Sequence, residues 1–335
     1  MIMRKQTTWL YKNKKHKQMK TIYLIFIYLF IINVYCCKKQ DSPILTDPGD
    51  IAAAEEIQIF PSTHPLNKDI SSAPLDPNSN AILTLIGKQT GLFADFGSGT
   101  WEGLPIGIPY AVVKANTPLI NINYGKYGNE SDPGPFPIPL NAPIEGNGQG
   151  DAHVLCVDVA NGMLYELFDA ERGNGAWSAT SGAKFNLNAE EYRPAGWTSA
   201  DAAGLPIFPC LVRYPEIAKG EIDHVLRFTL ARNCIYQGYV LPARHLVSGT
   251  TNSNQLPFGG RLRLKADYDI SGFSSTNQII LRALKKYGLI LADVGSSMFI
   301  SGAPNESWNN DDLKELGKVK AGDFDVIELG TIQTK

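Results

Sequence analysis

Between residues 105 and 270 the chain breaks into short apolar runs, most of them bounded by Gly, Pro, Asn or Asp. The runs are 106–113, 118–124, 153–159, 163–170, 176–187, 224–230 and 235–241. Segments of this length between turn residues suit β-strands and leave no room for long helices. Asn161-Gly162 stands between two of them and favours the tight turn of a hairpin. The chain of 335 residues holds 31 Gly and 21 Pro, an excess over the roughly 12% of average proteins. That excess is too small for collagen or a disordered tract, and it argues against coiled coils, helical bundles and helical solenoids. With 44% hydrophobic residues the chain can bury a sizeable core.

The expected fold is therefore mainly β, a jelly-roll-like β-sandwich with a few peripheral helices, in one domain over 57–335. Helices are predicted over 81–86, after the turn Asp76-Pro77-Asn78-Ser79, and over 276–287, where Ile280, Leu281, Leu284 and Tyr287 share a face and Gly288 follows as the stop. A last short helix is expected at 311–316 and a last strand at 324–329. Because 276–287 leads straight into the strand-like run 289–293, a layered α/β fold is the alternative. Residues 128–150 are Pro- and Gly-rich, and a loop of that length is usually functional or disordered.

The N-terminus resembles a bacterial export signal. Seven Lys/Arg and no acid fall within residues 1–20, an unbroken apolar run covers 22–32, and Val34-Tyr35-Cys36-Cys37 follows. Eleven apolar residues fit a signal-peptide core and fall short of the ~20 that span a bilayer. The last four residues resemble a lipobox, with Cys37 as the lipidated residue and Cys36 as the alternative; a signal anchor that stays uncut is the rival reading. Met19-Lys20 is the more ordinary signal start, so 1–18 reads as an extension. Residues 37–56 then form the lipidated Cys and a flexible tether. The mature chain would keep 24 bases against 33 acids, which repels nucleic acid and leaves the lipid to hold the membrane. The expected place is the cell envelope, at the outer membrane or cell surface.

Familiar chemistries find little support. Gly97-Ser98-Gly99 and residues 146–150 lack the spacing of a dinucleotide-binding loop, and there is neither a P-loop nor a Gly-x-Ser-x-Gly elbow. No Cys-x-x-Cys or His-x-x-x-His pair proposes a metal, and no cofactor is implied. Cys156, Cys210 and Cys234 read as free buried thiols.

Three constellations remain. Residues 193–206 set small residues around Trp197 and Asp201, which lets the backbone approach a ligand or another segment. Asp201 is either a cleft carboxylate or, with Ser199, the cap of a helical turn; Trp197 is a sugar platform or a core residue. On a strand over 223–229, Asp223, Val225 and Arg227 point one way and His224, Leu226 and Phe228 the other. His224 is then a core histidine or a general base, and Arg244-His245 lies just past a strand end, where site residues collect. Arg261, Arg263 and Lys265 alternate with apolar residues, forming an exposed sheet face or a groove for carboxylate or sulfate.

Residues 69–71 and 76–79, 193–206, and 287–296 resemble stretches of a set of secreted bacterial proteins, and the likeness spans nearly all of 57–330. It implies no activity. The expected function comes instead from export, the turn-rich β character, and Trp101, Trp177, Trp197 and Trp308 in Gly-, Ser- or Asn-rich surroundings: the domain acts on an extracellular polysaccharide. Hydrolysis needs two carboxylates about 5–10 Å apart, for which Asp201 and Glu221 are first choices and Asp151 and Asp293 reserves. Elimination needs a base, His224 or His245, and a cation, Arg244. Trp197, Arg261 and Arg263 are the expected substrate-binding residues. The alternative is a non-catalytic glycan-binding or structural lipoprotein, favoured if Asp201, His224, Arg244 and His245 scatter or lie in the core, and disfavoured if they share one pocket.

Overall fold

The computed structural model describes residues 59–114 and 116–335. The expected signal segment, Cys37 and the tether to residue 56 lie outside the described residues. Along the chain come β1 (Phe93–Asp95), β2 (Thr100–Trp101), β3 (Leu104–Pro105), β4 (Tyr110–Val112) and β5 (Ile122–Tyr124). Next are β6 (Val154–Asp158), β7 (Met163–Phe168), β8 (Glu171–Arg172), β9 (Trp177–Ala179) and β10 (Ser181–Asn186). The last seven are β11 (Leu226–Leu230), β12 (Ile235–Tyr239), β13 (Leu256–Phe258), β14 (Arg261–Leu264), β15 (Leu289–Val294), β16 (Phe299–Ser301) and β17 (Phe324–Val326).

The fold is β-rich and built from several sheets. The largest has six strands in the order β1-β16-β11-β15-β14-β17, and a second has four in the order β10-β7-β6-β4. Pairing is mixed: β6 and β7 form the antiparallel hairpin expected around Asn161-Gly162, whereas β11 and β15 run parallel. Helices cover Ser79–Ile86 and Ser275–Lys286. Ser274 caps the second by accepting from the Asn277 amide at 3.1 Å. Gly288, at φ 73°, ends it and turns the chain into β15. That φ belongs to the region open to glycine at little cost.

Strand alternation divides the apolar residues between two cores. In β6, Leu155 and Val157 join the larger core, while Val154 and Cys156 face a smaller one filled by Trp177, Phe136 and Ile138. Each such side chain taken fully out of water contributes roughly 1.5–3 kcal/mol. Phe136 and Ile138 belong to the Pro-rich stretch 128–150, so that stretch is folded onto the domain by its own apolar residues. Cys156, Cys210 and Cys234 are free and buried.

Several strands are shorter than the apolar runs suggest. The run 176–187 is two strands in two sheets, parted at Thr180, whose amide donates to Phe168 O at 2.9 Å and whose hydroxyl donates to Asp169 at 2.5 Å. Strand β4 begins only after Pro109, which has no N–H for a ladder.

The small residues of 193–206 serve close packing against other chain segments. The Ala203 amide donates to Ala292 O at 3.0 Å, and Gly204 sits at φ 70°. A Cβ at Gly204 would stand 2.6 Å from the Trp197 carbonyl oxygen. Gly204→Ala is therefore expected to destabilise the fold by about 2–3 kcal/mol, read as a lower denaturant midpoint at unchanged m-value.

Candidate functional site

The register of the six-stranded sheet sorts its residues by chemistry. Leu226, Phe228, Leu262, Leu264, Leu289, Phe324 and Val326 share one face and join the larger core. The opposite face carries Asp95, Ser301, Arg227, Arg261, Arg263 and Asp325 around the buried Ile290, and, past a bulge in β15, Asp293. A two-residue period accounts for this separation.

Arg227 is the centre of that polar face and is only 4% exposed. Its Nε donates to Asp201 Oδ2 at 3.0 Å and its Nη2 to Asp201 Oδ1 at 3.1 Å. Its Nη1 donates to Ser301 Oγ at 2.5 Å, and Nη2 lies 3.7 Å from Asp293 Oδ2. Burial pulls the guanidinium down, but the charge and hydrogen bonds of Asp201 hold it above its ordinary value. Asp201 itself is 1% exposed. Its loop is fixed from the other side by Glu166 on β7, which accepts from the amides of Ile207 at 3.0 Å and Phe208 at 2.9 Å.

Four more carboxylates and a histidine gather around this pair. Asp293 is partly open to solvent. Burial and the negative charge of Asp201 push its carboxyl up to about 7, against Arg227 and the Val294 amide. Glu145, from the Pro- and Gly-rich stretch, meets His153 Nδ1 at 2.5 Å, while His153 Nε2 reaches Ala200 O at 3.0 Å. Both ring nitrogens thus face acceptors, which fits an imidazolium. Burial lowers His153, but Glu145 overrides it and carries the ring up to about 9. Burial likewise raises Glu145, yet His153 and Arg227 bring it below the usual carboxylate range. Asp95 is raised by burial and by the charges of Glu145 and Asp151. Asp151 stands exposed beside buried His153, and Ala152 between them takes φ 48°, a conformation costly for alanine.

Apart from Asp201, the catalytic residues expected from the sequence fall elsewhere. Glu221 is exposed, 3.6 Å from Lys286. His224 is buried, with Nε2 2.8 Å from Glu216 and Nδ1 2.8 Å from Val225 O, so neither nitrogen faces a substrate. Glu216 also accepts from Arg213 at 2.7 Å. His245 turns Nδ1 to Ala202 O at 2.7 Å, and Arg244 keeps its backbone against Ala203. His224 therefore stands apart, whereas Arg244 and His245 take the carbonyls of Ala202 and Ala203 next to Asp201, whose own carboxylate is turned inward to Arg227. Arg261 and Arg263 are mostly buried and donate to loop carbonyls: Arg261 to Pro65, Lys68 and Tyr287, Arg263 to Ile70, Ser71 and Ala73. They fasten the 65–73 loop to the sheet and present no anion groove. Among the tryptophans, Trp177 and Trp308 are core residues, Trp197 lies against Arg193, and Trp101 is 73% exposed. The reserve residues Asp151 and Asp293 do belong to the gathered cluster.

Sequence reasoning missed Asp95, Glu145 and Ser301 altogether and gave no role to Glu166. Glu166 had a signal, a single acid inside the apolar run 163–168. Among the described residues no three His, Cys, Asp or Glu side chains are placed to hold a metal ion. Comparison with protein-family models, curated proteins and solved structures returns no match for the chain.

The Glu145–His153 pair couples the site to pH. Folded protein keeps a proton on His153 up to about 9, whereas an unfolded histidine releases it near 6.5. This stabilisation is full below about 6.5 and is lost as pH rises through about 9. Thermal melts are expected to show a falling Tm across that window. Glu145→Gln should cost about 1–3 kcal/mol at pH 7 and flatten the fall; an unchanged slope would contradict the assignment.

Proposed function

We propose that the chain is a lipid-anchored envelope protein whose β-rich domain, arranged as a sandwich of its two larger sheets, hydrolyses an extracellular glycan. One observation carries the catalytic part. Around a single buried guanidinium, one carboxyl is pushed up to about 7 and another is held below its ordinary range: Asp293 and Glu145. Opposite shifts in two acids of one site are the mark of an acid–base pair. Asp293, protonated near neutrality, serves as the general acid on the leaving-group oxygen. Glu145, kept ionised by His153, serves as the base or nucleophile on the other side of the bond. Asp95 and Asp151 lie on the Glu145–His153 side.

Charge bears on the substrate. Arg227 is occupied by Asp201 and Ser301, and His153 by Glu145. The open groups of the site are carboxyls, which repel a uronate or a sulfated sugar. A neutral or amino glycan fits better, and elimination from an acidic sugar loses His224, one of its two candidate bases. Asp201 and His224 lie in the interior, held by Arg227 and Glu216, which favours a second reading, a non-catalytic glycan-binding lipoprotein. The anchor rests on the basic, apolar and Cys order of residues 1–37.

The test is product analysis over a panel of polysaccharides. Turnover is expected to fall 10²–10⁴-fold in Asp293→Asn and in Glu145→Gln. Activity should also drop above about pH 7, where Asp293 gives up the proton it must donate. Mass spectrometry of the native protein should find a chain beginning at a lipidated Cys37. Full activity in both variants would overturn the site. Tight binding without turnover would select the second reading, and an unmodified mature N-terminus would end the lipoprotein part.

A further inference from the structure

The polar face of the six-stranded sheet also exposes two aromatic rings. Phe93 pairs with Phe299 in the same parallel register that pairs Asp95 with Ser301. Phe93 therefore stands on the side of Asp95, two residues and about 7 Å along the strand. The two rings stack with centroids 4.3 Å apart and planes 25° from parallel. Phe93 leaves 47% of its surface in water, and Phe299 is half-buried. Thr229 is the partner of Phe299 on one side and of Asp293 on the other, so the aromatic row runs across the sheet to the carboxyl at about 7. Single exposed apolar residues are ordinary. A stacked pair spanning the edge strand and its neighbour, level with a cluster of carboxyls, is a surface that gains by being covered.

We infer that Phe93 and Phe299 form a sugar-binding subsite of the site described above, which takes the apolar face of a pyranose ring in a neutral or amino glycan. The inference rests on the glycan reading and names where the chain lies beyond the bond to be cut. A pyranose ring offers a flat face of C–H groups and a rim of hydroxyls. The first suits an aromatic face, and the second suits the acceptors of Asp95 and its neighbours. Ring stacking on a rigid strand orders little else, so its contribution is felt mainly in affinity.

The experiment uses the full chain and hexasaccharides of glucose, xylose, mannose and glucosamine, with dissociation constants from calorimetry and products from chromatography. Phe93→Ala should weaken binding of the hexasaccharide that the wild type holds best by about five- to tenfold, with a Tm lowered by only a few degrees because half of the ring already lies in water. Phe93→Tyr should stay within about twofold of the wild type. Equal binding by Phe93→Ala and the wild type would overturn the subsite. So would a wild type that binds none of the four, or a wild-type dimer that Phe93→Ala dissolves, which would assign the rings to contact between copies. Asp293→Asn separates the two readings. If it cleaves as the wild type does while Phe93→Ala weakens binding, the catalytic assignment fails and the subsite stands. If it binds without cleaving while Phe93→Ala changes nothing, the subsite fails and the catalytic assignment stands.

Discussion

Arg227 is a guanidinium taken almost wholly out of water, and such a group persists only when charged hydrogen bonds replace its hydration. Desolvating an ion costs several kcal/mol even after the protein relaxes. Asp201 answers with a two-pronged carboxylate and Ser301 with a hydroxyl, the geometry in which arginine pairs are strongest. The three residues come from β11, from the Ala- and Gly-rich loop and from β16, so the pair joins segments far apart in the chain. Removing Arg227 would leave Asp201 buried without its counter-ion, and removing Asp201 would leave Arg227 with Ser301 and the more distant Asp293. The same charges fix the chemistry of what surrounds them: Asp201 raises Asp293, and Arg227 helps hold Glu145 down.

A second buried ionic group, Arg213, Glu216 and His224, shows how the fold separates structural from functional charge. There every polar atom named is directed to a carboxylate or a carbonyl, and burial is nearly complete on all three. In the Arg227 group one side remains open, through Asp293, Glu145, Asp95 and Asp151. Arg261 and Arg263 belong with the structural kind. Their guanidinium groups take the carbonyls of a loop and of a helix end, where a cation also meets the negative end of the helix dipole.

Much of the scaffold was legible in the sequence. The β-rich character, the hairpin at Asn161-Gly162, the helix near 276–287 and the buried strand through Cys156 all follow from local pattern. So did the alternation that sets Arg227 opposite Leu226 and Phe228. The partners of Arg227 were not legible, because Asp201 and Ser301 lie 26 and 74 residues away, and no period links them. β1 and β16 are three residues each, too short to show alternation, yet they bring Asp95, Ser301 and the Phe93–Phe299 pair. Glu145 sits in a loop whose course depends on Phe136 and Ile138 finding the smaller core. Asp201 and His224 were legible as unusual residues, but burial decides what an unusual residue does, and burial is a property of the folded chain.

The central claim is that burial and Asp201 hold Asp293 up while His153, aided by Arg227, holds Glu145 down. Carboxyl-carbon NMR of the protein labelled at Asp and Glu, titrated from pH 3 to 10, reads this directly. Asp293, assigned by its loss in Asp293→Asn, is expected to titrate near 7, and Glu145 below the ordinary glutamate range. Both groups titrating near 4, as free carboxyls do, would contradict the account.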